Sequence, residues 1–350
     1  MIRFSGKIET INIPNHLPVT LQRTIEEWRD KSTITLETSG STGDPKSISL
    51  SKELVELNAS NSKKALGLSN NEKVLVCIPT NKIGGLMLVM RSILFKWNVV
   101  IQDPIANPLQ IHSTFHDFTF VSLVPYQMAK ILSDPISTEK LKKFKTILIG
   151  GAAISTVLEQ DIATFLSGNE VNVFHSYGMT ETASHVALRN MRTMPPNSFT
   201  LLDGVKVKRT KSGCMILLFK QLEYKVKTKD VGTVDGRTIH FIARKDEVVN
   251  SGGLKLQIHD IRLAIDKIFD DNNLLVRFIL WKQPDDMLGE KLVFVGLNSQ
   301  KDLEVERVLN DTLPKFEIPR IFYWTDAFER KESGKIDRQK TVDRLVEVGS

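Results

Sequence analysis

From Lys73 to His175 the chain alternates short apolar runs with helix-length segments, and this alternation restricts the fold more than any other feature. Strands are read at Lys73–Ile78, Val99–Gln102, Phe118–Val124, Thr146–Ile149 and Val171–His175, with helices at Leu86–Leu94, Tyr126–Leu132 and Thr156–Leu166 between them. Continuous apolar runs of this length bury both faces of a strand. Strand–helix–strand succession then favours a sheet with mainly parallel pairing and helices on its faces. Pro79, Pro125 and Gly150-Gly151 end three of the runs, where the chain leaves the ladder. Upstream, Leu21–Arg29 reads as a short amphipathic helix and Lys52–Leu66 as a longer one. In such α/β sheets ligands bind beyond the carboxyl ends of the strands, so the residues just after each run deserve the closest reading.

One loop precedes the alternation. Thr33–Leu50, TITLETSGSTGDPKSISL, contains two probable strands joined by a turn rich in glycine and hydroxyl groups. Gly40 and Gly43 lack a Cβ, so several backbone N–H groups can crowd around one anion. Thr38, Ser39, Ser41 and Thr42 add hydroxyl donors, Lys46 adds a mobile charge, and Pro45 stiffens the exit. The spacing Gly-x-x-Gly-x-x-Lys followed by an extended segment is not that of a Walker A loop, which runs into a helix. Read by itself, the nonapeptide could also be a plain polar hairpin.

Four further segments carry chemistry. Gly150-Gly151-Ala152-Ala153 follows a strand, and its small side chains let a flat ring approach the backbone; a tight strand-to-helix turn would look the same. Tyr177-Gly178-Met179-Thr180-Glu181-Thr182 offers an aromatic face, hydroxyls and a carboxylate able to hold Mg²⁺, or alternatively a simple helix start. In Thr228-Lys229-Asp230 the carboxylate could accept two hydrogen bonds from ribose hydroxyls. Finally, Lys335 in Phe328–Arg338, FERKESGKIDR, could neutralise charge on a phosphate, although such segments are usually solvated surface.

Taken in order, these segments resemble the nucleotide motifs of the adenylate-forming superfamily, which comprises the acyl-CoA synthetases, luciferases and peptide-synthetase adenylation domains. The resemblance covers nearly the whole chain, from Thr38 to Arg338. It implies a large N-terminal AMP-binding domain, 1–245, and a small α+β C-terminal lid domain, 246–350. It implies that Thr38 to Lys46 cradle phosphate, that Gly151 and Ala152 border adenine, and that Tyr177 stacks on it. By the same similarity Thr180 and Thr182 contact phosphate, Glu181 ligates magnesium, and Asp230 with Arg244 holds the ribose. Phe241–Leu256, FIARKDEVVNSGGLKL, is similar to the superfamily hinge, which makes Asp246 the pivot and places Gly252 and Gly253 near coenzyme A. Lys335 becomes the catalytic lysine, with Glu181 its partner in charge neutralisation. The co-substrates implied are ATP with Mg²⁺, coenzyme A and a carboxylic acid.

Some positions depart from the superfamily pattern. Most of the N-terminal subdomain before the phosphate loop is missing, and a homodimer partner could replace it, which the sequence leaves open. Asp260 stands where glutamate is usual, Ile258 where proline is common, and Glu329 where the last motif has proline. Within the superfamily, Pro79–Ser92 (PTNKIGGLMLVMRS) and Ser176–Asn190 (SYGMTETASHVALRN) most resemble the 2-succinylbenzoate–CoA ligases of menaquinone biosynthesis. That resemblance implies an aromatic dicarboxylic acid as substrate. Its second carboxylate would meet Lys82, with Arg91 or His185 as helpers. The blander alternative makes Lys82 a solvated loop lysine and Arg91 a helix-surface residue.

Composition sets the remaining bounds. With 350 residues, 41% hydrophobic and 25% charged, the chain can bury a large core and form two domains or three. The net charge of +6 suits a protein that handles anions. Its densest basic cluster, Lys206, Lys208, Arg209 and Lys211, reads as a solvated hairpin face, and no nucleic-acid binding is expected. Cys77 and Cys214 lie in apolar strand-like runs and suggest buried thiols in a reducing cytoplasm. Met1–Leu17 has no signal-peptide pattern, and Ile83–Ile101 is interrupted by Arg91, Lys96 and Asn98, so neither export nor a membrane span is expected. His112 and His116 have helical spacing but no evident partner ligand, so no metal site is read there.

Overall fold

The computed structural model describes residues 2–4, 17–39, 45–110, 118–301, 304–330 and 336–349. Gly40, Ser41, Thr42, Gly43, His112, His116 and Lys335 lie outside the described residues, as do the side chains of Thr38, Ser39, Lys46 and Asp246.

In chain order, β1 (Ile2–Phe4) and α1 (Val19–Asp30) precede a hairpin of β2 (Thr33–Ser39) and β3 (Pro45–Ser51). Then follow α2 (Lys52–Ala65), β4 (Lys73–Val76), α3 (Ile83–Leu94), β5 (Asn98–Ile101), β6 (Phe120–Leu123), α4 (Pro125–Leu132) and α5 (Pro135–Leu141). Next come β7 (Thr146–Ile149), α6 (Thr156–Ser167), β8 (Asn172–Met179), β9 (Ser184–Asn190) and β10 (Ser198–Leu201). Four strands complete this part: β11 (Val205–Arg209), β12 (Cys214–Phe219), β13 (Tyr224–Asp235) and β14 (Thr238–Arg244).

All of these strands except the β2–β3 hairpin belong to one 12-stranded sheet, ordered β1-β5-β4-β6-β7-β8-β9-β10-β14-β13-β12-β11. The block β5-β4-β6-β7-β8 is parallel, as the strand–helix alternation predicts. Beyond β8 every pairing is antiparallel. The physical reason is the connections: a parallel return needs a crossover of a dozen residues or more, and none of the links after β8 is long enough.

Both faces of the parallel block are covered. Val74 and Val76 point into one core cluster, whereas Leu75 and Cys77 point into the other, the period-two alternation of a strand buried on both sides. Helix α3 is buried from Gly85 through Ile93, which explains why its sequence is apolar nearly all round. Cys77 and Cys214 are buried free thiols, and burial pushes Cys77 up to about 12, so it is inert at neutral pH.

After β14 the chain turns through Lys245–Glu247 and changes sheets. β15 (Val248–Ser251), β16 (Leu254–Gln257), α7 (Ile258–Asp271), β17 (Phe278–Asp285), β18 (Gly289–Leu297), α8 (Glu304–Thr312), β19 (Ile321–Thr325) and α9 (Arg338–Gly349) follow. These strands form a 5-stranded sheet in which only β18–β19 is parallel. Its two hydrophobic clusters share no residue with those of the large sheet. No helix among the described residues is long and apolar enough to cross a membrane.

Candidate active site

The site grows from the end of β8. This strand does not stop at His175 but continues to Met179, because β9 pairs with its outer half from Phe174 to Met179. Gly178 sits at the bulge in that pairing, where an added Cβ would run into the carbonyl of Ser184 and the Cα of His185. No other residue lets the two strands approach so closely. Thr180–Thr182 then makes a single 3₁₀ turn, and Ala183 and Ser184 follow with φ of 50° and 87°. Two successive non-glycine residues in the left-handed region are costly, and surrounding structure must hold them.

Thr182 supplies part of that hold. It is fully buried; its hydroxyl accepts from Met179 N–H at 3.0 Å and lies 2.9 Å from Met179 O and 2.5 Å from Ser184 O. Thr182 was expected to contact phosphate; here its oxygen makes its hydrogen bonds inside the turn. Tyr224 supplies a second hold from β13, its hydroxyl donating to Glu181 O at 2.9 Å. The backbone carrying the Glu181 carboxylate is thus pinned from two sides. Glu181 is half-buried, as is Thr180.

Beside this turn three predicted residues converge. Tyr177 Oη donates to Asp230 Oδ2 at 2.6 Å, and Arg244 Nη1 donates to Asp230 Oδ1 at 3.1 Å. Asp230 and Arg244 are direct register partners on β13 and β14, and Asp230 is only 4% exposed. Thr228 Oγ1 accepts from Asp230 N–H at 3.1 Å, which fixes the carboxylate's backbone. Burial first, then the Asp230 charge, pushes the Tyr177 phenol far above its ordinary range, so it stays a neutral donor. Its ring leans against Phe199 and Phe241, with centroids 5.8 and 6.3 Å away.

The predicted adenine border lies at the end of β7. Gly150 leaves room for Ser176, whose hydroxyl donates to Ile149 O at 3.0 Å, and Gly151 takes φ of +87°. Gly151 and Ala152 are exposed. His175, which the sequence reading passed over, lies 3.2 Å from Ala152 O through Nε2. Burial lowers its pKa to about 4, so the ring is neutral and the nitrogen near the carbonyl carries the proton. Tyr224 and Phe199 were also missed; nothing local marks them, since they reach the site only through sheet pairing.

The residues expected to meet the second carboxylate separate into two places. Lys82 is exposed at the N-terminus of α3. Arg91 is nine positions further on, about 13 Å along the axis and on the opposite side of the helix, so one carboxylate cannot touch both. Arg91 is neither on the surface nor solvated: it is 1% exposed, donates from Nη2 to Asn58 Oδ1 at 2.9 Å, and its Nε is buried with no partner. Burial lowers its pKa to about 9. Asn58 in turn donates to the carbonyls of Thr182 and His185 at 3.2 and 2.7 Å, directly behind the Glu181 turn.

His185, expected as a helper at the substrate carboxylate, is enclosed in the structure. It is 3% exposed, its Nε2 lies 2.8 Å from Ser62 Oγ, and burial together with the Arg91 charge keeps it neutral. It is part of the support behind the turn. In the second sheet, Gly252 and Gly253 form the two-residue turn of the β15–β16 hairpin with φ of 56° and 82°, the backbone that a type I′ turn demands. That turn by itself accounts for the glycine pair.

Comparison with known proteins agrees with this fold. A family model described as "AMP-binding enzyme" matches residues 21–218, more than half of the chain. The 2-succinylbenzoate–CoA ligase of Staphylococcus aureus strain MW2 is 26% identical over 97% of this chain and 72% of its own length. That of Lactococcus lactis subsp. lactis strain IL1403 is 24% identical over 93% and 74%. Among solved structures, an acyl-CoA synthetase (AMP-forming)/AMP-acid ligase II-like protein from Dyadobacter fermentans is 30% identical, covers 98% of this chain and 100% of that one, and superposes with a TM-score of 0.63. The o-succinylbenzoate CoA synthetase of Bacillus subtilis with its acyl-adenylate intermediate has a TM-score of 0.72 at 21% identity, over 87% of this chain and 68% of that one, and supports the fold. The chain belongs to the AMP-binding enzyme family, the adenylate-forming superfamily whose motifs its sequence carries in order.

Proposed function

We propose that this protein is an AMP-forming acid–thiol ligase that uses ATP and Mg²⁺ to join 2-succinylbenzoate to coenzyme A. A carboxylate oxygen of the acid attacks the α-phosphorus of ATP and releases pyrophosphate. The thiol sulfur of coenzyme A then attacks the acyl carbon of the adenylate and releases AMP. The nucleophile belongs to the substrate each time, so the protein contributes position and charge.

The observation that carries the reading is the convergence of Tyr177, Asp230 and Arg244, from three strands and three separate motifs, into one hydrogen-bonded cluster beside Glu181. In this reading the Tyr177 ring takes the adenine against Gly151 and Ala152. Asp230, already oriented by Arg244, accepts the ribose hydroxyls. Thr180 and the loop from Thr38 to Lys46 hold the phosphates. A bound Mg²⁺ supplies neutralisation of phosphate charge. The half-buried Glu181 carboxylate is the hard oxygen donor that ion requires, and the Tyr224 bond fixes its backbone. Lys335 is assigned to the reacting phosphate and Asp246 to the pivot of the 246–350 domain, a partition supported by the change of sheet after Arg244. Gly252 and Gly253 keep their assignment near coenzyme A.

The substrate assignment rests on the names of the curated relatives and on Arg91. A buried guanidinium with an unpartnered Nε, and no carboxylate hydrogen-bonded to it among the described residues, lacks what a dicarboxylic acid would bring. Lys82, at the exposed end of the same helix, is too far along it to share that carboxylate with Arg91. Menaquinone biosynthesis in the cytoplasm is the setting this substrate implies.

The test is pyrophosphate release with ATP, Mg²⁺ and a panel of carboxylic acids including 2-succinylbenzoate, followed by mass analysis with and without coenzyme A. A succinylbenzoyl thioester is expected. Adenylate without thioester would point to a carrier-protein acceptor, and release with a different acid would retain the chemistry and discard the substrate.

A further inference from the structure

Strand pairing assembles a charged surface that the sequence scatters over Lys206 to Lys227. In the antiparallel ribbon β11-β12-β13, Lys206 faces Leu218, which faces Lys225, and Lys208 faces Ile216, which faces Lys227. All four lysines are exposed, whereas Leu218 and Ile216 between them are half-buried. The alternate residues, Val205, Phe219, Leu217 and Val226, are buried in the core, so the lysines share the outer face. Lys220 joins from the end of β12; hydrogen-bonding with Lys206 beside it, and then the charge of that lysine, lower its pKa. Arg209 and Lys211 continue the cationic surface at the hairpin tip.

No salt bridge within the described residues neutralises Lys206, Lys208, Lys220, Lys225 or Lys227. Of the acidic residues of the ribbon, Glu223 sits in one turn and Asp235 at the far end of β13, while Asp230 is buried against Tyr177 and Arg244 and does not stand on the lysine face. The two lysine columns are about 10 Å apart and the rows about 7 Å apart. Both spacings are close to the screening length of about 8 Å at physiological salt, so the fields add.

We propose that this face is a docking surface for the headgroups of an anionic phospholipid bilayer. The chemistry of the face selects among polyanions. It has no aromatic side chain to stack on a base and no tryptophan or tyrosine anchor of the kind that dominates protein–protein contacts, and its arginine, Arg209, stands at the hairpin tip and not among the lysine columns. What it has is flexible point charges standing around aliphatic side chains, which suits a diffuse layer of headgroups. The contact is peripheral, electrostatic and independent of the reading of the nucleotide site.

Sedimentation of the full chain with vesicles tests it. Binding is expected to vesicles with about a third phosphatidylglycerol, absent with pure phosphatidylcholine, and lost as salt rises, because exposed charges are screened. Lys206→Gln with Lys225→Gln should lower the partition coefficient about 25-fold, since each lysine near such a surface is worth about fivefold. Lys142→Gln with Lys315→Gln, surface lysines elsewhere, should leave it within about twofold. The circular dichroism and melting temperature of each variant confirm folding. Equal partition onto neutral and anionic vesicles, an unchanged partition of the Lys206/Lys225 variant, or tighter binding to duplex DNA than to vesicles at equal phosphate would overturn the proposal.

Discussion

Replacing Arg91 by methionine separates a structural role from a recognition role. Folding carries the guanidinium into the core, lowering its pKa from 12.5 to about 9 by desolvation. At about 1.36 kcal/mol per pH unit that fall corresponds to an opposing contribution on the order of 5 kcal/mol at neutral pH, an upper bound. Against it stand the bond to Asn58, worth about 2 kcal/mol for a charged donor, and the packing of the stem, which methionine largely restores. Arg91→Met should therefore stabilise the protein by about 2 kcal/mol and raise its melting temperature by about 5 °C. The sign of the pH dependence follows. The folded state releases the proton more easily than the unfolded chain, so the wild type gains relative stability from about pH 9 upward, and the variant should lack that gain.

The functional half is read in the pyrophosphate-release assay. If Arg91 receives the second carboxylate, the variant should show a KM for 2-succinylbenzoate raised about tenfold or more, with benzoate-type monocarboxylates unaffected. A variant that is less stable than wild type and unchanged in its preference between the two acids would refute the reasoning and make Arg91 a packing residue.

Three other outcomes follow from the geometry. Tyr177→Phe takes one hydrogen bond from the buried Asp230 carboxylate and should cost about 2 kcal/mol of stability by urea denaturation, with KM for ATP rising more than kcat falls; an unchanged ATP KM would remove Tyr177 from the nucleotide site. Gly178→Ala drives a Cβ into the Ser184 carbonyl, so the Glu181 turn must shift; activity should fall at least about 100-fold, and a fully active variant would mean the bulge is not required. His175 is held neutral in the fold, so its contribution to stability is full above about pH 6.5 and lost as pH falls toward 4, about 3 kcal/mol in all. Urea midpoints at pH 7.5 and 5 should show that loss in the wild type and less of it in His175→Gln.

Much of this protein is legible without coordinates, for a local reason. Strand–helix alternation, the turn residues that end each run and the short nucleotide motifs are properties of adjacent residues, so the parallel block and the superfamily could be read directly. Tyr177, Asp230, Arg244 and Glu181 were singled out from the same motifs, and the fold brings the first three into contact. Three matters depended on distant pairing instead. Sheet register decided that Tyr177 and Asp230 meet and that Tyr224 pins Glu181, because β8 and β13 are far apart in sequence. Burial decided that Arg91 and His185 are enclosed and Thr182 is spent on its own turn. No spacing rule distinguishes an arginine on a helix surface from one facing the core. Short connections after β8 decided that half of the sheet runs antiparallel, and the same pairing gathered four separate lysines onto one face. Chemistry written in contiguous residues survives in the sequence, whereas charge, exposure and partnership are set by what tertiary packing brings alongside.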